Sequence, residues 1–304
     1  MTKESASPPR PRGGRAAMPR RVLLFAIPAL VLYAFVVIVP AVQGAAYSFT
    51  DWNGLDSTFS FIGLQNVIDI LQDPQSLRAL VNTVIIAVAF TIVQNVIGLA
   101  LSLGVNSRIK SRNVLKVLIF APAVMTPVVI GYLWQYMLAP QGPVNETLAA
   151  VGLAGLQQVW LGEPGWALTS IIVVLIWQFS GYSMVIFLAG LQGVPEEIIE
   201  AAAVDGAGPW RRFWSVILPM LSPAVTINLM LSMIGALKVF DIIWVMTGGG
   251  PGGATHNLST LMFQEAFTFG DFGKSVTLGL VLLVLVAAIS VMQYRPLVRR
   301  ENRA

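Results

Sequence analysis

Long apolar runs without a single charge alternate along this chain with short segments that carry nearly all its charge. The runs cover 22–50, 79–107, 117–145, 164–195, 213–237, 242–264 and 275–294. Each reaches the roughly 20 residues that a membrane-spanning helix needs. The run at 242–264 contains Gly248-Gly249-Gly250-Pro251-Gly252-Gly253, His256 and Asn257. Irregular backbone of that kind loses its hydrogen-bond partners in lipid, so this run is set aside as a span. The pattern then predicts an all-α membrane protein with six transmembrane helices over 22–294. Pro122 and Pro127 should bend the third span, and Pro219 and Pro223 fall in the fifth.

Charge gives the orientation. Sixteen of the nineteen Lys and Arg residues lie in the N-terminal segment, the 2–3 and 4–5 loops and the C-terminal segment, which six spans place on one side. That side is the cytoplasm. Residues 1–21 read as a disordered cytoplasmic tail and 295–304 as a basic cytoplasmic tail. The apolar stretch 22–42 exceeds the usual h-region of a signal peptide, which favours an uncleaved first span.

Composition narrows the chemistry. The chain is 56% hydrophobic and 11% charged, with mean hydropathy +0.73; soluble domains carry about 25% charged residues. There is no cysteine and only one histidine, His256, which excludes thiolate chemistry and a two-histidine metal site. His256 reads as a plain loop residue, and 248–253 as flexible punctuation. Gly270-Asp271-Phe272-Gly273-Lys274-Ser275 imitates a phosphate loop, but Thr268 stands where its first glycine is required. The chain is therefore expected to bind no nucleotide, metal or other cofactor. The net charge of +4 reflects topology, not nucleic-acid binding.

Residues 195–223, between two apolar runs, hold Glu196, Glu197, Glu200, the alanines 201–203, Asp205 and Gly206. A short helix should start after Pro195 and end near Asp205-Gly206. On the residues alone, an ordinary helical loop and a docking element are both open. Glu200-Ala201-Ala202, then Gly206, then Leu218-Pro219 resemble the "EAA" loop of binding-protein-dependent ABC importer permeases. Val216 stands where that family usually has Ile; Pro195, Asp205, Phe213 and Pro223 fit its sugar-transporting branch. Trp134, Gly142, Asn145, Gly155 and Trp160-Leu161, then Phe240-Asp241, Thr247 to Pro251, Phe267, Asp271 and Gly273 continue the likeness.

The resemblance implies a type-I ABC importer permease fold with a cytoplasmic coupling helix in the 195–212 loop. It implies a multi-pass protein of the bacterial inner membrane, with a second homologous permease and an ATPase dimer that carries ATP and Mg. It also implies an extracytoplasmic sugar-binding protein. Glu200, Ala201, Ala202, Asp205 and Gly206 are the expected ATPase-coupling residues. Gln178 and Tyr182, four apart on one helix face, and Asn228 and Ser232, on a stripe that continues to Gly235, are the candidate substrate pathway. Aromatic faces with hydrogen-bonding side chains suit sugars, which present C–H patches beside hydroxyls. The alternative for each is adhesion between helices, the usual work of Asn82, Gln94 and Asn95 as well. Lys238 and Asp241 are expected to pair at the outer rim. A self-sufficient secondary transporter is the competing function, but no carboxylate lies deep in any span to couple an ion.

Overall fold

The computed structural model describes residues 20–56, 58–107 and 110–301. The expected tail over 1–21 lies outside them apart from Arg20 and Arg21, which open the first helix. Two compact units divide the chain at Ala46. The first is one apolar helix, α1, formed of Arg20–Tyr33, a π-helical turn at Ala34–Ile38 and Val39–Tyr47, its last residue opening the second unit.

The second unit is helical, and among the described residues its only β pairing is one bridge between Thr50 and Phe61. In chain order its helices are α2 (Gln65–Gln72), α3 (Pro74–Asn106), α4 (Arg112–Val124), α5 (Pro127–Met137) and α6 (Pro143–Ala150). Then come α7 (Pro164–Gln192), α8 (Glu196–Val204), α9 (Pro209–Met220) and α10 (Ser222–Leu237). Last are α11 (Asp241–Thr247), α12 (Leu258–Gln264) and α13 (Phe272–Glu301). α1, α3, α7 and α13 are long and apolar enough to cross a membrane singly. α4 with α5, bent by 96°, and α9 with α10, bent by 69°, allow up to two more crossings.

Local chemistry explains the boundaries. Asp73 caps α3, accepting hydrogen bonds from the Gln75 and Ser76 amides, with Pro74 in the first turn. This cap starts α3 several residues before the apolar run does. Pro127 opens α5 after the bend, where the Met125 carbonyl is left free by its own helix and accepts from Gln178 Nε2 at 3.1 Å. α13 continues helically past residue 294 to Glu301, so the expected basic tail is largely helix.

α3 shows how the fold suits lipid. Val81, Ile85, Val88, Ile92 and Val96 form an exposed apolar stripe, while Asn82, Thr83, Thr91, Gln94, Asn95 and Ser102 are buried. That inverts the pattern of a helix in water. The core joins α3, α5, α7, α10 and α11 through Ile86, Ile130, Ile171, Val174, Leu237, Ile242 and Met246. Small residues let the helices close: a Cβ on Gly98 would overlap Ser183 of α7.

The segment 242–264 is no span, as expected, and its turns are closed by hydrogen bonds. Thr255 Oγ1 donates to the Gly250 carbonyl at 2.7 Å, and Asn257 caps α12 in a reciprocal capping box with Thr260. Asn82 of α3 donates to the carbonyls of Ala254 and His256 at 2.8 and 2.9 Å. His256 is consequently buried, not a plain loop residue, with Nδ1 3.1 Å from Thr260 Oγ1.

Candidate functional site

A cavity of about 510 Å³ lies among α3, α7, α10 and the turn into α11. Its walls include Phe90 and Gln94 of α3, Phe179 and Tyr182 of α7, Asn228 and Ser232 of α10, and Lys238, Phe240 and Asp241 beyond. Pro127, at the α4–α5 bend, also reaches it. Three of the four expected pathway residues, Tyr182, Asn228 and Ser232, are thus brought together. Gln178 lies off the cavity, fully buried against the Met125 carbonyl. One helical turn from Tyr182, it turns inward to the bend while Tyr182 stays 45% exposed.

A polar network backs the cavity wall. Asn95 Nδ2 donates to Ser232 Oγ at 2.9 Å, Ser232 Oγ donates to the Asn228 carbonyl at 2.7 Å, and Asn228 Nδ2 donates to Ser183 Oγ. Gln94 Nε2 donates to the Phe179 carbonyl at 3.0 Å. These bonds tie α3, α7 and α10 together, so adhesion and cavity lining meet in the same residues. The amide oxygens of Gln94 and Asn228 are buried and have no partner among the described residues.

Lys238 and Asp241 do not pair. Both are exposed and line the cavity instead. Among the described residues the ion pairs belong to Lys274, which meets Asp73 at 3.1 Å and the nearly buried Glu265 at 2.7 Å. These three close the ends of α3, α12 and α13 against one another. Burial alone would raise the Asp73 carboxyl, but hydrogen bonds from Ser76, Lys274 and the Gln75 amide outweigh it and hold it below the usual range. Burial pushes His256 down. The sequence offered no spacing signal for Lys274 with Asp73, which stand 201 positions apart.

Chain direction puts the 195–212 loop at the end of the bundle opposite the Lys274 cluster. The 29 residues of α7 span about 43 Å, and α8 follows its far end. Glu196, Glu197, Glu200 and Ala201 are exposed, and Ala202 is half-buried. α8 stops in a Schellman turn: the Gly206 amide donates to the Ala203 carbonyl at 3.1 Å and the Ala207 amide to the Ala202 carbonyl at 2.9 Å. Gly206 there has φ +82°. Ile199 packs on the cluster of Leu191, Val194 and Leu221, which joins α8 to the end of α7 and to the α9–α10 bend. The rest of the loop offers an apolar surface, with Val204 88% and Trp210 75% exposed.

An inside-out helical bundle with bent spans, an interior cavity and an exposed Glu-Ala helix at its opposite end defines a multi-pass membrane transport component. Residues 94–300 match the binding-protein-dependent transport system inner membrane component family, and the chain belongs to it. It is 31% identical over 91% of its length to the probable starch degradation products transport system permease protein AmyD of Thermoanaerobacterium thermosulfurigenes, 94% of which is covered. It is 34% identical over 88% of its length to the trehalose/maltose transport system permease protein MalF of Thermococcus litoralis, with 90% of that protein covered. Its fold matches a chain of a bacterial alginate ABC transporter, solved with an alginate pentasaccharide-bound periplasmic protein, at TM-score 0.79 and 21% identity. That match covers 90% of this chain and 93% of the other.

Proposed function

We propose that this chain is one permease half of an ATP-driven importer of sugars. It would share the translocation pathway with a second, homologous permease and receive substrate from an extracytoplasmic binding protein. An ATPase dimer, which binds ATP and Mg, would dock on the 195–212 loop in the cytoplasm, where both termini would also lie. The observation that carries this reading is the pairing of a polar-and-aromatic cavity with an exposed docking helix at the other end of the same helices. The relatives named for starch products and for trehalose and maltose support sugar as the cargo.

Aromatic faces at Phe90, Phe179, Tyr182 and Phe240 suit the C–H side of a sugar ring. The side chains of Gln94, Asn228 and Ser232 put polar groups on the same wall, suited to its hydroxyls. A push on α8 passes through Ile199 to Leu191 and Leu221, and so to the hinge between α9 and α10. An exposed Glu200 ion pair would add at most about 1 kcal/mol. Docking therefore rests on the shape that Ala201, Ala202 and the Gly206 turn give the helix.

Reconstitution tests the reading. The purified chain should copurify with a nucleotide-hydrolysing subunit, and labelled sugar should enter proteoliposomes only while that subunit is active. Gly206→Leu should uncouple hydrolysis from uptake without affecting membrane insertion, whereas Glu200→Ala should weaken coupling only modestly. Uptake by the lone chain in an ion gradient would overturn the proposal in favour of a secondary transporter.

A further inference from the structure

A row of aromatic side chains leads away from the cavity wall. Phe240, which lines the cavity, stacks on Trp244 with centroids 5.7 Å apart and planes 14° apart. Phe263 lies 4.7 Å from Trp244 and 4.8 Å from Phe267. Phe272 follows, 6.1 Å from Phe267 and 6.1 Å from Trp52, and Trp52 stacks on Tyr47 at 4.2 Å. Each step is short enough for neighbouring rings to interact. The rings come from α11, α12, the turns beside them, the start of α13, the last residue of α1 and the segment after it. The row is thus a product of the tertiary fold, not of one helix's periodicity. None of these rings is buried, and Phe267 is 70% exposed. Exposed Asp51 and Asn53 flank Trp52, and exposed Asp271 precedes Phe272.

We infer that this row is a second carbohydrate-binding element, a track that holds pyranose rings between their point of delivery and the cavity. The inference rests on the importer reading above. Aromatic faces bind the C–H side of a pyranose without fixing its hydroxyls, so a sugar can move from ring to ring. The exposed carboxylates and amide beside Trp52 and Phe272 meet hydroxyls at the track's edge. A membrane-interface belt has a different makeup: it favours Trp and Tyr, whose polar tips reach the headgroups. Here four of the seven rings are Phe, and Trp52 Nε1 donates internally to the Asp56 carbonyl at 3.0 Å. The row also ends at the wall of the candidate cavity, where a lipid belt has no reason to end.

The test uses the complete transporter, with its partner permease, ATPase and binding protein, in proteoliposomes. Labelled glucose, lactose, maltose, trehalose and maltotriose are screened, and the best-transported sugar becomes the probe. Phe267→Leu and Phe272→Leu keep apolar bulk and remove the flat face. Each should lower sugar moved per ATP hydrolysed by about two- to tenfold, the equivalent of one lost ring contact, while the ATPase rate and complex assembly stay at wild-type values. Phe269→Leu, an exposed ring outside the row, should leave the ratio unchanged. An unchanged ratio in both track variants overturns the track and leaves the importer reading intact. Loss of assembly with the partner permease also overturns it, assigning the rings to a subunit interface. Failure of the wild-type transporter to move any of the five sugars overturns the importer reading and the track with it.

Discussion

Gly206 allows the sharpest separation of shape from contact in the docking role proposed for the 195–212 loop. Its φ of +82° places it in the left-handed region, which costs an L-residue about 1–2 kcal/mol. A Cβ built there meets nothing within 4 Å, so the cost of Gly206→Ala is conformational and not steric. A penalty of about 1.4 kcal/mol corresponds to a tenfold loss in the population of the capped end of α8. Asn tolerates this conformation better than Ala does. The expected order of coupling efficiency is therefore Gly, then Asn, then Ala. Hydrogen exchange of the 201–207 amides should follow the same order, since the Gly206 and Ala207 amides close the turn. ATPase activity stimulated by loaded binding protein, measured on the reconstituted complex, reports coupling. Wild-type coupling and protection in Gly206→Ala would refute the conformational argument. Asn performing worse than Ala would show that the open space at Gly206 is filled by the partner and that bulk is what matters.

Three further outcomes follow from the same geometry. Gln178→Leu should lower thermal stability by about 1 kcal/mol, because the Met125 carbonyl at the bend loses its donor; Tyr182→Ala should instead change uptake kinetics with stability unaltered. Lys274→Met leaves Glu265 without its counter-charge in a site only 7% exposed, at a cost of about 2–3 kcal/mol in denaturation assays, and Glu265→Gln in the same chain should recover part of it. His256 is held below its ordinary value of 6.5 by burial. The unfolded chain therefore takes up a proton first as pH falls through 6.5, and stability declines below that point. The melting temperature of the solubilised protein should drop between pH 7.5 and 5.5, and this part of the dependence should vanish in His256→Gln.

The fold was legible where one physical rule acted alone. Charge-free length located the apolar helices, and the prolines at 122, 127, 219 and 223 fell at or beside the two bends. Glu196–Val204 formed as a helix that ends at Asp205-Gly206 because Ala and Glu favour helix and only glycine closes that turn cheaply. Asn145 and Trp160, noted only as parts of a pattern, turn out to be bonded, with Trp160 Nε1 donating to Asn145 Oδ1 at 2.9 Å. What stayed hidden depends on tertiary pairing. The proximity of Lys238 and Asp241 in sequence suggested a pair, yet Lys274 finds its carboxylates across the fold. The hydrogen bonds around the glycines at 248–253 were not readable because their partners, Thr255 and the Asn82-bound turn beyond, are supplied by the folded loop.

The polar residues of the spans show why the site was only half readable. A helix face gives direction but not what stands opposite. Gln178 and Tyr182 share a face by number, yet the bend at Met125 claims one and the cavity the other. Asn228 and Ser232 face both ways: each lines the cavity and each holds a neighbouring helix. Removing either side chain alters the wall and loosens the joint of α3, α7 and α10 together. Their effects on uptake and on stability should therefore be non-additive with Asn95→Ala, which touches the joint but not the lining. Additive effects would separate the two roles and return Asn228 and Ser232 to the cavity alone.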